Sequence, residues 1–324
     1  MFVQLKQRLA FIMINARWRA IPQSLISCMV AICSSLSSPN FNLLYSIMAT
    51  IGVVSAHLSA NLLDDIFDYI QDKVCIRNKA VSGRTLKCEN ILNKTASIKD
   101  FVIWACGFGG IAVCIGLYFL FKLGLPILYF IILGAFLAIF YSAPPLKLSY
   151  RALGELVIGL MFGPLLVCGV CFVLTHEISS VAIITSLMTG LLATSIVYVH
   201  SIIDTEVDKL CEKTTLAVAL KTKTNQLIAL AIFIFTPYFL AFLISPILGL
   251  VLLTTLPFAI YLMNIVNDSK RHKILFRTLP KKAWKVILKY NNEYFYTRWL
   301  YTRNFMTLFV GIVCVYFIIK AIIR

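Results

Sequence analysis

NLLDDIFDYIQD, residues 61–72, ends one long apolar run with four aspartates, and DTEVDK, residues 204–209, ends another. The 324-residue chain has only fourteen Asp and Glu, and seven of them are Asp64, Asp65, Asp68, Asp72, Asp204, Glu206 and Asp208. At about 100° of rotation per helical residue, Asn61, Asp65, Asp68 and Asp72 fall within about 60° of one another on a single stripe. His200, Asp204 and Asp208 follow at i, i+4 and i+8 and share a face in the same way. Each helix therefore presents a column of oxygen ligands, and carboxylates so crowded repel one another unless a cation neutralises them. Hard divalent ions suit all-oxygen donors. Mg²⁺ in particular takes one or two carboxylates, keeps waters and accepts phosphate oxygens, which leaves room for a diphosphate between the two columns.

The rest of the chain places these columns in a membrane. It is 60% hydrophobic with a mean hydropathy of +0.87, too apolar for a soluble globule. Apolar runs centred near residues 29, 53, 111, 133, 165, 192, 236, 257 and 313 predict an all-α polytopic bundle of nine transmembrane helices with cytoplasmic cap loops, one domain over residues 1–324. Residues 1–19 read as an amphipathic basic segment lying on the membrane, with no cleavable signal. Connections alternate between basic and nearly uncharged: SSPNFN, FKLGLP, LTHEISS and ISPIL carry one Lys between them. This is the positive-inside pattern for a cytoplasmic N-terminus, and it puts both acidic columns at the cytoplasmic face. The net charge of +16 then reflects topology and affinity for anionic headgroups, with no call for nucleic acid. Ten Cys without paired zinc-type spacing imply neither disulfides nor a zinc site.

Three cytoplasmic segments have the composition of a cationic lid over the acidic cleft. Residues 73–100 carry seven Lys and Arg, residues 205–226 include KTTLAVAL, and YSAPPLKLSYRALGE at 141–155 brings Tyr141, Lys147, Tyr150 and Arg151 to the same face. Most of these cations serve topology; Arg84, Lys147 and Arg151 are the leading candidates for a phosphate. His57 reads as core packing one turn before Asn61, and Glu155 as the i, i+4 partner of Arg151. Residues 267–302 mix basic and aromatic side chains, as an interfacial helix before the last span does, and are a possible protein-partner site.

On these residues the chain resembles the UbiA superfamily of intramembrane prenyltransferases. Asn61, Asp65, Asp68 and Asp72 match that family's first motif, and Asp204 and Asp208, followed by KTTLAVAL, match its second. The stretch 141–169 is most similar to the branch that prenylates 1,4-dihydroxy-2-naphthoate in menaquinone synthesis, although His200 and Ile203 stand where that branch usually carries Asn and Arg. The resemblance implies Mg²⁺-dependent transfer of a polyprenyl group from an isoprenoid diphosphate to an aromatic acceptor, in a bacterial plasma membrane. It implies Asp65, Asp68, Asp72, Asp204 and Asp208 as metal ligands, with Asp65, Asp68, Asp204 and Asp208 catalytic. Asn61, Arg84, Tyr141, Lys147, Arg151, His200 and Lys209 are then the substrate-binding set. The same donor chemistry with 4-hydroxybenzoate, homogentisate or a glycerol phosphate lipid, or a terpene cyclisation, fits the motifs equally. A cation-coupled transporter fits less well, because the carboxylates sit at one face with no acidic relay through the bilayer.

Overall fold

The computed structural model describes residues 2–70, 88–268 and 292–323. Along the chain, α1 (Phe2–Asn15), α2 (Ile21–Ser35), α3 (Leu43–Ile70), the single turn α4 (Glu89–Leu92), α5 (Ile98–Leu123) and α6 (Pro126–Phe140) precede α7 (Gly154–Thr175). Then come α8 (Ser180–Ile203), the short α9 (Thr205–Leu210) and α10 (Leu216–Ala219), α11 (Lys223–Ile244), α12 (Pro246–Leu253), α13 (Leu256–Asn267) and α14 (Glu293–Ile323). The described residues form an all-helical integral membrane bundle.

Helix ends follow local chemistry. Ser97 caps α5 in a reciprocal box, accepting from the Asp100 amide at 3.2 Å while its own amide donates to Asp100 at 2.8 Å. Gly124, at φ 82°, ends that helix in a backbone conformation that suits glycine, and Pro126 starts the next. Each of the nine expected centres falls within a helix, and among the described residues length and composition by themselves support six or seven crossings. Six described helices, α3, α5, α7, α8, α11 and α14, are long and apolar enough to span, and α12 with α13, bent by 51°, make a seventh. Helices α2 and α6 have 15 residues each, short of the roughly 20 that cross a hydrocarbon core about 30 Å thick.

Two features shape the interior. Helix α7 breaks at Gly163 (φ −99°, ψ −105°) before Pro164, and winds as a π-helix over Met161–Cys168. A Cβ on Gly163 would lie 2.5 Å from the Gly190 Cα, so α7 and α8 cross with their backbones in contact, as small residues allow in lipid. The buried side chains fall into two groups. A small one joins Leu58, Leu62 and Ile66 of α3 to Phe101 and Ala105 of α5, and a large one centres on α8 with α2, α7 and α11 to α14.

Helix α14 has 31 residues, about 47 Å at 1.5 Å per residue, and so outruns the hydrocarbon core. Its first turns take up residues 293–302, expected above as part of a surface segment. They pack inward: Phe295 and Tyr301 are buried, and Arg298, fully buried, donates to the Tyr294 carbonyl at 2.9 Å and to the Asp268 carbonyl at 2.6 Å. The remainder of that segment, residues 269–291, lies outside the described residues, as do most of the lid segment and the expected site residues Asp72 and Arg84.

Candidate active site

Between α3, α5 and α6 on one side and α7 and α8 on the other lies a chamber of about 650 Å³. Its walls are small and apolar where helices approach one another, with Gly52, Ala56, Gly109, Ala112 and Gly116, and aromatic where they part, with Phe119, Phe130 and Phe162. One end is polar. There Asn61 and Asp64 of α3 meet His200, Asp204 and Asp208 across the chamber, together with Arg17, Tyr141, Lys213 and Thr215. Of the two expected columns, Asn61 of the first and all of the second line this cavity, with Asp64 beside Asn61, whereas Asp65 and Asp68 lie off its wall.

The α3 carboxylates are held by specific donors. Asp65 and Asp68 are buried, at 5% and 3% exposure. Asp64 lies about 100° round the helix from Asp65 and lines the chamber, whereas Asp65 turns toward the N-terminal segment. Arg17 reaches both: its Nη1 bonds Asp64 at 2.9 Å and its Nη2 bonds Asp65. Ser142 also donates to Asp64, and the Tyr150 hydroxyl donates to Asp68 at 2.9 Å. Arg17 comes into position because the chain leaves α1 through a left-handed residue, Arg17 itself at φ 54°, ψ 47°, before a 3₁₀ turn at Trp18–Ala20. That conformation costs a non-glycine residue about 1–2 kcal/mol, which the double ion pair offsets. Asn61 clamps the same turn by donating to the Ala16 carbonyl at 3.1 Å.

Electrostatics fix the protonation of two of these donors. Burial alone would lower the Arg17 pKa, but Asp65, Asp64 and Asp68 outweigh it and hold the guanidinium above its ordinary value. Burial, then the charge of Asp68 and the hydrogen bond to it, push the Tyr150 hydroxyl well above the usual tyrosine range. Tyr150 is therefore a standing donor to Asp68.

On the α8 side the helical path continues through the C-cap, with the Asp204 amide on the His200 carbonyl at 2.9 Å and the Asp208 amide on the Asp204 carbonyl at 2.8 Å. His200, Asp204 and Asp208 accordingly share a face toward the chamber, with the His200 ring edge-on to Phe295 at 4.4 Å. Two cap loops close over this end. Arg151 pairs with Thr214 in a single parallel bridge, and the Ala152 amide donates to the Thr214 carbonyl at 2.6 Å. Glu155, 2% exposed, accepts the Leu216 amide on both carboxylate oxygens at 3.1 and 3.2 Å. Lys213 is thereby brought over the Tyr150 ring at 5.2 Å and into the chamber wall.

The expected substrate-binding set divides. Asn61, Tyr141 and His200 line the chamber. Lys147, Arg151 and Lys209 do not: Arg151 donates to the Pro145 carbonyl at 3.0 Å, and Lys209 pairs with Glu206 at 2.8 Å on the exposed side of α9. Glu155 is not the partner of Arg151, because α7 begins only at Gly154 and the two residues never share a helix face. Arg17, Asp64, Ser142 and Lys213 are additions that the motif spacing did not single out for a role. For a metal, the donors present are hard oxygens from two helices around one cavity, which suits Mg²⁺. Among the described residues no three carboxylates, histidines or cysteines converge closely enough to enclose a cation unaided.

Comparison with known proteins agrees with this architecture. A family model described as the UbiA prenyltransferase family matches residues 24–291. A Dictyostelium discoideum protein, UbiA prenyltransferase domain-containing protein 1, is 31% identical over 145 residues, a stretch covering 44% of this chain and 44% of that relative. Among solved structures, the apo form of a UbiA homologue from Aeropyrum pernix K1 superposes with a TM-score of 0.62 at 16% identity, covering 91% of this chain and 98% of that one. A UbiA homologue from Archaeoglobus fulgidus bound to GPP and Mg²⁺ gives 0.59 at 14% identity, covering 91% and 99%. At these identities the structural matches establish a shared fold.

Proposed function

The chain belongs to the UbiA prenyltransferase family, and we propose that it transfers a polyprenyl group from an isoprenoid diphosphate to an aromatic acceptor, 1,4-dihydroxy-2-naphthoate, in menaquinone biosynthesis. The observation that carries this reading is that Asp64, with Arg17 bonded to it and to Asp65, shares one largely apolar chamber with Asp204 and Asp208. A prenyl diphosphate has the same polarity: a multiply charged head and a hydrocarbon tail.

Asp64, Asp65 and Asp68 on α3, with Asp204 at the C-terminal cap of α8 and Asp208 on α9, are the residues that would hold Mg²⁺, and Asp72 extends the first cluster in sequence. When bound, the ion supplies charge neutralisation that makes diphosphate a better leaving group. Arg17 and Lys213 supply positive charge where negative charge grows as the allylic C–O bond breaks. Tyr150 and Ser142 orient Asp68 and Asp64 by hydrogen bonding. The apolar walls keep water from an allylic cation, and the faces of Phe130 and Phe162 suit it electrostatically. The Glu155–Leu216 and Ala152–Thr214 contacts hold the cap loops over the reacting end. The basic loops flanking the acidic ends support a cytoplasmic active site.

The test is product identification. Purified protein with Mg²⁺, mixed-length polyprenyl diphosphates and a panel of 1,4-dihydroxy-2-naphthoate, 4-hydroxybenzoate and homogentisate is analysed by mass spectrometry of the lipid extract. A prenylated naphthoate product is expected. Prenylation of another member of the panel alone would overturn the acceptor and keep the donor chemistry.

A further inference from the structure

His57 lies on α3 one turn from Asn61 and two turns, about 10 Å along the axis, from Asp64, and its side chain lines the apolar part of the chamber. Its ring sits edge-on to Phe162, with centroids 5.1 Å apart. Its Nδ1 lies 3.0 Å from the Ser24 hydroxyl oxygen, and that hydroxyl lies 2.9 Å from the Ile21 carbonyl. A hydroxyl has one hydrogen, and a carbonyl can only accept. With the Ser24 hydrogen on the Ile21 carbonyl, the Ser24 oxygen accepts from His57 Nδ1, and in that tautomer of a neutral imidazole Nε2 carries the lone pair. Such a device, a histidine oriented through one nitrogen so that the other can accept, is what a general base requires.

From this geometry, and resting on the proposed transfer to an aromatic acceptor, we infer that His57 is the catalytic base of the acceptor half of the reaction, with Ser24 as its positioning residue. The acceptor's ring hydroxyl gives its proton to Nε2. An electron pair of the activated ring forms the new C–C bond to the allylic carbon, whose C–O bond breaks with its pair leaving on diphosphate. The ring recovers aromaticity by losing the group that its attacked carbon carried, either a proton, which the departed diphosphate accepts, or CO₂; the electron pair left behind moves to the ring oxygen, and the His57 imidazolium returns its proton there. The site thus selects acceptors with a hydroxyl on the ring, because a lone pair at Nε2 rewards a donor and offers nothing to a ring without one.

The experiment compares wild type, His57→Gln, His57→Phe and Ser24→Ala with Mg²⁺, a polyprenyl diphosphate and the acceptor that wild type uses. Acceptor KM and kcat are measured, and donor binding is followed by calorimetry. Glutamine can accept a hydrogen bond but cannot take the proton. The inference therefore predicts that kcat falls by about 10²-fold in both His57 variants while donor affinity stays within twofold of wild type. Acceptor KM is kept in His57→Gln and rises in His57→Phe, and Ser24→Ala gives a smaller loss of kcat. His57→Gln with kcat within threefold of wild type overturns the inference. Loss of donor binding in both His57 variants also overturns it, since that marks a packing role. If wild type itself forms no prenylated aromatic product, the proposed function fails, an outcome separate from either of these.

Discussion

Arg17 is the cation that the α3 carboxylates hold, and replacing it should make the protein's stability depend on Mg²⁺. Arg17→Met keeps an apolar stem and removes the guanidinium that bonds Asp64 and Asp65. The three side chains are 32%, 11% and 7% exposed. Breaking a fully buried pair costs about 3–5 kcal/mol, and an exposed pair about 0–1 kcal/mol. An arginine one third exposed against two nearly buried carboxylates falls between, at about 2 kcal/mol. At about 2–4 °C per kcal/mol for a large domain, the metal-free variant should melt about 4–8 °C below wild type. A divalent cation neutralises the carboxylates that the variant leaves uncompensated, so saturating Mg²⁺ should raise the variant's Tm by more than wild type's and close most of the gap. The assay is thermal unfolding of purified protein in detergent, with chelator and then with Mg²⁺. A metal-free Tm equal to wild type's, or an equal Mg²⁺ increment in both proteins, would refute the role given to Arg17.

Other perturbations read different parts of the structure. Gly163→Ala puts a Cβ 2.5 Å from the Gly190 Cα and from the Ser186 carbonyl oxygen. It should cost about 3 kcal/mol in thermal melts, whereas Gly110→Ala, with nothing within 4 Å, should change stability by less than about 0.5 kcal/mol. Tyr150→Phe removes the donor to Asp68; a hydrogen bond to a charged group is worth about 1.5–3 kcal/mol, so Mg²⁺-dependent turnover should fall by about tenfold or more and Tm should drop by several degrees. Glu155→Ala leaves the Leu216 amide without its acceptor, and hydrogen exchange should quicken over residues 214–220 while the bundle is unaffected; unchanged exchange there would show that the cap does not depend on this tie.

The sequence made some of this legible and hid the rest for definite reasons. Helices of a membrane bundle declare themselves by length and apolarity, and carboxylates are so costly in such a chain that their clustering marks a site. The weakness lay at boundaries. A centre near residue 29 locates α2 but not that the helix has only 15 residues, and a last span centred near 313 conceals that α14 begins at Glu293 and buries Arg298. Pairing Arg151 with Glu155 assumed a helix through both, yet the cap loop ends at Leu153 and gives Glu155 to the Leu216 amide. Arg17 sits in a segment whose composition describes a surface helix; only the left-handed turn after α1 carries it to Asp64, some 47 positions away. Asp64 was visible as a member of the cluster. Its place on the chamber wall depends on which side of the α3 stripe the cavity opens, and a stripe of oxygen ligands does not say. His57 shows the same limit, since packing and chemistry place a histidine on the same face, and only the Ser24 contact separates its two nitrogens.

The central claim is that the two acidic clusters act together on a prenyl diphosphate. Its most direct test measures diphosphate release and prenylated product in wild type, Asp65→Asn and Asp204→Asn, each verified as folded by thermal unfolding. The account predicts Mg²⁺-dependent product from wild type and none above background from either variant, although the two residues lie on different helices and neither substitution changes side-chain size. Near-normal turnover in both variants would contradict it.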